Sequence, residues 1–190
     1  VSDDLRDHVI ICRHDPIAVG LIPRLEEFSI PYCVVEPDST VAANLHADGV
    51  SVVAGEPTAA ATYRALGADR ARLVFANLSD SANTNLTLAV REISPDVPIL
   101  ALADENNAID VLELSGASEV LPLKRELGEH LASRVTVGTP TAHRIGSFED
   151  LTIAEFPIEH TMLAGRTIRD SRLRELTGLS IVAVWERGEL

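Results

Sequence analysis

The sequence is poor in aromatic residues and has no long apolar run. Phenylalanine, tryptophan and tyrosine make up 4% of the 190 residues, so a buried core must consist mainly of valine, isoleucine, leucine and alanine. No apolar segment approaches the roughly 18 residues that a membrane-spanning helix requires, and the first residues lack the pattern of a secretory signal. We therefore expect the polypeptide shown to be soluble by itself.

Basic residues are also scarce. Lysine and arginine number 16 against 29 aspartates and glutamates, which gives a formal net charge of −13. A surface this acidic repels a phosphate backbone, because both carry negative charge. The composition therefore argues against nucleic acid as a partner.

Chemically reactive residues are few and scattered. Cys12 and Cys33 fall inside predicted strands without CxxC spacing, which favours buried free thiols in a reducing compartment over a disulfide or a metal site. The six histidines form no HExxH motif, and no serine or cysteine has an evident base beside it. We expect neither a zinc centre nor enzymatic activity.

The sequence does have a regular alternation of short apolar strands and amphipathic helices. Near-continuous valine and isoleucine runs are typical of strands buried on both faces. Their alternation with helices predicts an α/β fold, a Rossmann-like, doubly wound parallel sheet of six strands. The predicted strands are 8–12, 32–36, 50–53, 73–76, 98–102 and 119–121, and the predicted helices are 17–28, 41–48, 59–66, 81–93, 108–115 and 125–135.

A different pattern begins after residue 137. Residues 138–149 are rich in glycine, threonine and proline and are predicted to be a linker. Beyond them we predict strands at 151–156 and 179–185 and a short helix within 167–177. These elements are too few for an independent core. The predicted organisation is therefore a first domain at 1–137, a linker at 138–149, and the start of a small α+β C-terminal subdomain at 150–190.

The segment IICRHDPIAVG (10–20) is a strand that leads into the turn where a Rossmann fold holds a dinucleotide. That turn needs three glycines, for a tight bend, close approach of the pyrophosphate and close helix packing. Arg13, Asp15 and Ala18 occupy the three positions. Asp15 is a good N-cap, and its carboxylate both competes for the helix amides and repels phosphate. The sequence therefore predicts that the pyrophosphate contacts are lost.

The same helix carries a predicted buried stripe of Ile17, Leu21, Leu25 and Phe28. The next strand ends in Glu36, with Asp38 just beyond it. An acidic residue at this point of a Rossmann fold binds the ribose hydroxyls. Equally, the two residues could begin a turn and cap the following helix. Both interpretations stay open from the sequence.

Several further segments, in order along the chain, resemble one family. They are GVSVVAGEPT (49–58), LGADRARLVFANLSDSANTNLTLAVREISPDVPILALA (66–103) and LELSGASEVLPL (112–123). The chain resembles the RCK domain, also called the TrkA N-terminal domain, over residues 8–136. Residues 153–190 resemble the start of that family's C-terminal subdomain.

The resemblance implies a regulatory domain on the cytoplasmic side of the cell membrane, attached to a potassium-channel pore domain. It implies a homodimer, formed partly by a crossover helix at 125–137, within an octameric gating ring. A peripheral subunit of a Trk/Ktr-type potassium transporter is the alternative. An NAD-dependent oxidoreductase is disfavoured because the glycine loop is missing. The opening DDLRDHVII (3–11) resembles the junction between a pore linker and the domain, which favours the channel.

The resemblance also implies a ligand, an adenine nucleotide or NAD(H), although the degenerate loop argues against its phosphate contacts. The matching positions are Arg13, His14 and Asp15 in the loop, Glu36 and Asp38 at the ribose, Glu56 and Thr58 near the adenine, and Asn77 and Leu78 after the fourth strand. Some channel members bind calcium at positions that match Asn77, Leu102 and Asp104. With one carboxylate among these three, we do not expect that site. Asp80, Asp104 and Glu105 leave Ca²⁺ open, beside the plainer interpretation of helix caps and solvated loops.

Overall fold

The computed structural model describes residues 5–135, 142–148, 151–159 and 161–184. The chain forms two compact units, Val1–Glu129 and His130–Leu190. Within the described ranges, no helix has the length and apolarity needed to cross a membrane.

The first unit alternates strands and helices as the sequence predicts, with every boundary within two residues of the predicted one. The strands are β1 (Val9–Ile11), β2 (Tyr32–Glu36), β3 (Val52–Ala54), β4 (Leu73–Ala76), β5 (Ile99–Leu102) and β6 (Glu119–Leu121). The helices are α1 (Pro16–Glu27), α2 (Ser39–Ala47), α3 (Ala60–Leu66), α4 (Asp80–Ile93), α5 (Ala108–Leu114) and α6 (Leu123–Val135), the last of which continues into the second unit.

The six strands form one parallel sheet in the order β3-β2-β1-β4-β5-β6. The chain moves outward in one direction from β1 to β3, then returns to the centre and continues outward in the other direction from β4. This is the doubly wound, Rossmann-like order. The predicted fold class is confirmed.

Helices cover both faces of this sheet. On one face, buried residues of α3, α4 and α5 pack against strand residues such as Ile10, Val74 and Ile99. On the other face, α1 packs against Val9, Ile11 and Val34. Burial on both faces explains why the strands read as continuous apolar runs.

The two cysteines are buried and free. Cys12 lies directly after β1 and Cys33 within β2. Burial raises the pKa of the Cys12 thiol to about 12 and that of Cys33 to about 11. Both thiols therefore stay protonated at neutral pH and act as small apolar side chains.

Helix α1 is capped as predicted but buries a different stripe. Oδ1 of Asp15 accepts a hydrogen bond of 2.8 Å from the Ala18 amide, and Pro16 occupies the first helical position. The buried residues are Ala18, Ile22 and Leu25. Of the predicted stripe, Leu25 is buried and Ile17 and Leu21 are partly buried against the same core, but the prediction was wrong at Phe28, which is 69% exposed. The spacing of 18, 22 and 25 fits one helical face, whereas Phe28 lies beyond the last turn of the helix.

The second unit contains a two-stranded antiparallel sheet, β7 (His143–Phe148) with β8 (Leu151–Glu155). Strand β7 lies inside 138–149, where the sequence predicted only a linker. The pairing shifts register between Arg144 and Gly146, and such an irregularity breaks the two-residue alternation by which strands are recognised.

Among its described residues, the second unit also contains two short helices, α7 (Ile168–Ser171) and α8 (Leu173–Thr177). The sequence predicted one short helix over this stretch. Arg172, with φ 47°, separates the two helices, because a residue in the left-handed backbone conformation cannot continue a right-handed helix. The strand predicted at 179–185 was wrong for residues 179–184, which are not in a strand, and Trp185 lies outside the described residues.

A buried histidine at the start of β1 makes the stability of this fold depend on pH. Burial lowers the pKa of His8, and nearby Arg70 lowers it further, against the raising effects of the Leu66 backbone and Asp7. The unfolded chain therefore binds a proton that the folded chain resists. We expect the free energy of unfolding to fall as pH drops from about 6.5, the ordinary histidine pKa, towards the lower folded value.

Urea unfolding between pH 7 and pH 5 measures this effect. His8→Gln is expected to flatten the decline. His46→Gln serves as the control, since His46 is exposed on α2. An unchanged decline in His8→Gln would show that other groups cause it.

Candidate ligand site at the carboxyl edge of the sheet

The candidate site lies where the strand order reverses, between the carboxyl ends of β1 and β4. In open parallel sheets the two connecting loops diverge at this point and leave a crevice, because each loop leads to a helix on an opposite face. Here the loops are 12–15, between β1 and α1, and 77–79, between β4 and α4. Of the predicted site residues, Arg13 and Asp15 lie in the first of these loops and Asn77 lies in the second.

A buried asparagine ties the two loops together. Nδ2 of Asn77 donates a hydrogen bond of 2.8 Å to the carbonyl oxygen of Arg13. Asn77 is only 4% exposed, and its Oδ1 finds no hydrogen-bond partner among the residues that the structure describes. A buried acceptor without a donor is costly, so this oxygen marks a place where a ligand group would be favourable.

A side chain of the loop between β1 and α1 accepts a hydrogen bond from the N-terminus of α1. The Ala18 amide is one of the α1 N-terminal donors, and it bonds to Asp15. Arg13 is exposed, while His14 and Asp15 are partly buried. The N-terminus of α1 therefore carries a fixed carboxylate where other Rossmann folds accept a phosphate.

Glu36 and Asp38 have different environments. Asp38 caps α2, with its Oδ1 accepting from the amides of Thr40 (2.7 Å) and Val41 (3.1 Å). The Val41 and Thr40 amides lower the pKa of the Asp38 carboxyl. The capping interpretation is thus confirmed for Asp38, and its ribose role stays a prediction. Glu36 accepts from the Asp38 amide at 3.1 Å and remains half-buried at the end of β2.

The loop after β3 approaches Glu36 through the backbone. The Gly55 amide donates to the Glu36 carbonyl oxygen at 2.9 Å. One residue further, the Glu56 carboxylate accepts from the Thr58 hydroxyl at 2.9 Å and from the Thr58 amide at 3.3 Å. The two predicted adenine-side residues are therefore paired with each other. Thr58 also lines an open groove of about 430 Å³, whose other lining residues are Ala60, Asn85, Leu88, Ala89 and Glu92.

Tyr63 is a structural neighbour of the site that the sequence analysis missed. Its hydroxyl donates to the Pro57 carbonyl oxygen at 2.5 Å and lies 3.3 Å from Sγ of Cys12. Burial raises the pKa of this hydroxyl, so it stays protonated and can donate. Tyr63 thereby links the end of β1 to the loop after β3. A tyrosine at a core position of α3, with a hydroxyl that requires a partner, was the available signal.

Leu78 is held by a buried asparagine of α4. Oδ1 of Asn83 accepts from the Leu78 amide at 2.9 Å, and Nδ2 donates to the carbonyl oxygens of Leu78 (3.1 Å) and Leu102 (2.9 Å). Asn83 is fully buried. Its three bonds fix the loop after β4 against the end of β5, and sequence spacing gave no indication of them.

The acidic residues beyond β4 and β5 are hydrogen-bonded to the segments around them. Asp80 accepts from the amides of Asp104 (2.7 Å) and Glu105 (3.1 Å). Lys124 lies 2.8 Å from Oδ1 of Asp104, and this hydrogen bond raises the pKa of Lys124. Asp80 and Asp104 are thus engaged by amides and an ammonium group. Among the residues that the structure describes, no cluster of three metal-ligating side chains is found.

Comparison with known proteins gives a consistent family signal. The model of the TrkA-N domain matches residues 9–122. The "Probable potassium channel protein 2" of Methanocaldococcus jannaschii is 27% identical over 194 residues, which cover 95% of this chain and 56% of that protein. The chain therefore spans little more than half of that relative.

Solved structures agree. The GsuK channel bound to NAD matches with a TM-score of 0.79 and 41% identity, over 99% of this chain and 34% of that chain. A GsuK structure bound to ADP has a TM-score of 0.68 and 39% identity, over 72% of this chain and 36% of that chain.

Proposed function

Because this chain belongs to the TrkA-N domain family, also known as RCK, we propose that it is the cytoplasmic regulatory domain of a potassium channel. The observation that carries this proposal is the similarity of nearly the whole chain to a potassium-channel protein and to the GsuK channel. The domain is not an enzyme in this proposal. It converts ligand binding and its own assembly into a change at the pore.

The proposed ligand site is the crevice between β1 and β4. GsuK structures carry NAD or ADP, which supports an adenosine-containing ligand here. The loops around the crevice are joined by hydrogen bonds through Asn77 and Tyr63, so a ligand that favours one arrangement acts on several elements together. A regulator of this kind shifts a two-state equilibrium by its difference in affinity for the two states.

The proposed assembly is a homodimer within an octameric ring, with residues 1–137 as the first domain and 150–190 as part of the second. Support comes from apolar side chains left on two helices of the first unit. Leu114 of α5 is 88% exposed, Val111 is 49% exposed and Leu127 of α6 is 55% exposed. Val111 and Leu114 lie three residues apart and therefore on one face of α5, and a contiguous exposed apolar patch is typical of association sites.

The test is potassium flux from liposomes that contain the complete gene product of which this chain is part. We expect adenosine, ADP or NAD to change the flux about fivefold or more, which is the usual scale of allosteric coupling. Glu36→Gln should raise the ligand concentration needed for this response. Glu27→Gln is the matched control. Glu27 is exposed at the opposite end of α1, and its substitution changes the net charge by the same amount as Glu36→Gln.

Potassium flux that none of these ligands alters would overturn the proposed ligand gating. A gene product without pore segments would favour the peripheral transporter subunit instead.

A further inference from the structure

We propose that the crevice between β1 and β4 binds a nucleoside rather than a dinucleotide, so that no phosphate group occupies the N-terminus of α1. This inference rests on the proposed function and names the ligand class of the same site. The fold implies a dinucleotide whose pyrophosphate lies on the α1 amides. In this chain the residues at that point do not fit a pyrophosphate.

The first reason is the occupancy of the α1 N-terminus. The Asp15 carboxylate accepts the Ala18 amide at 2.8 Å, so an amide that a phosphate needs is already paired. Asp15 also stands where close approach of a pyrophosphate requires a glycine without a Cβ. A phosphate would have to displace a carboxylate of its own charge.

The second reason is the charge of the surrounding edge. Glu36 ends β2. The Gly55 amide donates to the carbonyl oxygen of Glu36, and Glu56 is the next residue along that loop. Asp38 follows Glu36 and donates its amide to that carboxylate. Against these acids and Asp15, the loop 12–15 contributes the single arginine Arg13. All four acids end or follow β1, β2 or β3 at the carboxyl edge of the same sheet, where negative charge repels a phosphate and leaves an uncharged ligand unaffected.

The third reason is what the site retains for a nucleoside. Glu36 remains half-buried at the end of its strand, where a carboxylate accepts from the two ribose hydroxyls. Oδ1 of Asn77 is a buried acceptor without a partner among the described residues. Both groups accept hydrogen bonds, so they match a ligand rich in donors, as the hydroxyl and amino groups of a nucleoside are.

The experiment is calorimetric titration of the chain with adenosine, AMP, ADP and NAD, beside Asp15→Ser. Serine is also a good N-cap, so this variant keeps α1 capped while it removes the charge. We expect adenosine to bind the natural chain about tenfold or more tightly than ADP or NAD. Asp15→Ser should strengthen ADP and NAD binding by a similar factor and leave adenosine affinity unchanged. Asp15→Gly, which also removes the Cβ, should strengthen them further.

Glu27→Gln is again the control for net charge and should leave all four affinities unchanged. If ADP or NAD binds the natural chain as tightly as adenosine, the inference is overturned while the proposed ligand gating stands. Unaltered discrimination in Asp15→Ser also overturns it. If none of the four probes binds, both the inference and the proposed nucleoside site fail.

Discussion

Asn83→Asp is expected to lower the free energy of unfolding by about 3–5 kcal/mol, the usual cost of leaving a buried charged group without compensation. The side chain keeps its size, but it loses the Nδ2 donor that bonds to the carbonyl oxygens of Leu78 and Leu102. A carboxylate would then face two carbonyl oxygens in a fully buried position. Chemical denaturation at pH 7 measures this loss.

Asn85→Asp is the matched control for this prediction. Asn85 lies two residues further along α4 and is exposed, so the same chemical change should alter stability by no more than about 0.5 kcal/mol. Acidification should partly restore Asn83→Asp, because a protonated carboxyl group can donate again. Equal stability losses in the two variants would contradict a special role for Asn83.

Arg91→Met is expected to destabilise the first unit by about 2–4 kcal/mol, since it removes several bonds from a charged donor at once. Nε donates to the Gly116 carbonyl oxygen at 2.9 Å, and Nη1 donates to those of Ser94 (3.1 Å) and Val97 (2.7 Å). Nη2 reaches Oγ of Ser118 at 3.2 Å. One guanidinium thus joins the end of α4, the approach to β5 and the turn before β6.

Methionine replaces the apolar stem of Arg91 and none of these donors. The stability of Arg91→Lys should lie between that of the natural chain and that of Arg91→Met, because a single ammonium cannot reach all the acceptors that the planar guanidinium spans. Arg24→Met is the control, since the Arg24 guanidinium pairs with exposed Glu27 and should contribute little. A midpoint shift in Arg91→Met as small as in Arg24→Met would contradict the prediction.

Much of the fold could be predicted from the sequence. Valine-rich runs, the Asp15-Pro16 start and the glycines that end helices are local signals, and each arises within a few residues. Gly67 illustrates this, since its φ of 67° ends α3 as a left-handed cap. Parallel pairing then follows from strand–helix alternation. The second unit was harder to predict because its short strands include a register shift and its helices are shorter than two turns.

The candidate site divides in a similar way. The sequence placed Arg13, Asp15 and Asn77 at strand ends, and the capping role of Asp15 followed from its position before Pro16. It could not choose between ribose contact and capping for Asp38, since both interpretations require an acid at the same place. It did not indicate Asn83, nor which groups the hydroxyl of Tyr63 would contact, because the partners of both residues lie on other strands or loops.

The sequence by itself determined the fold class, the acidic charge and the loss of the glycine loop, because these depend on composition and on neighbours along the chain. Only the tertiary structure decided that Asp15 accepts from the Ala18 amide and that the buried Oδ1 of Asn77 has no partner in the part of the chain that the structure describes. The physical reason is that hydrogen-bond satisfaction of a buried group depends on which distant residues the sheet brings beside it. In this chain the sheet brings together residues 13 and 77, 12 and 63, and 83 and 102.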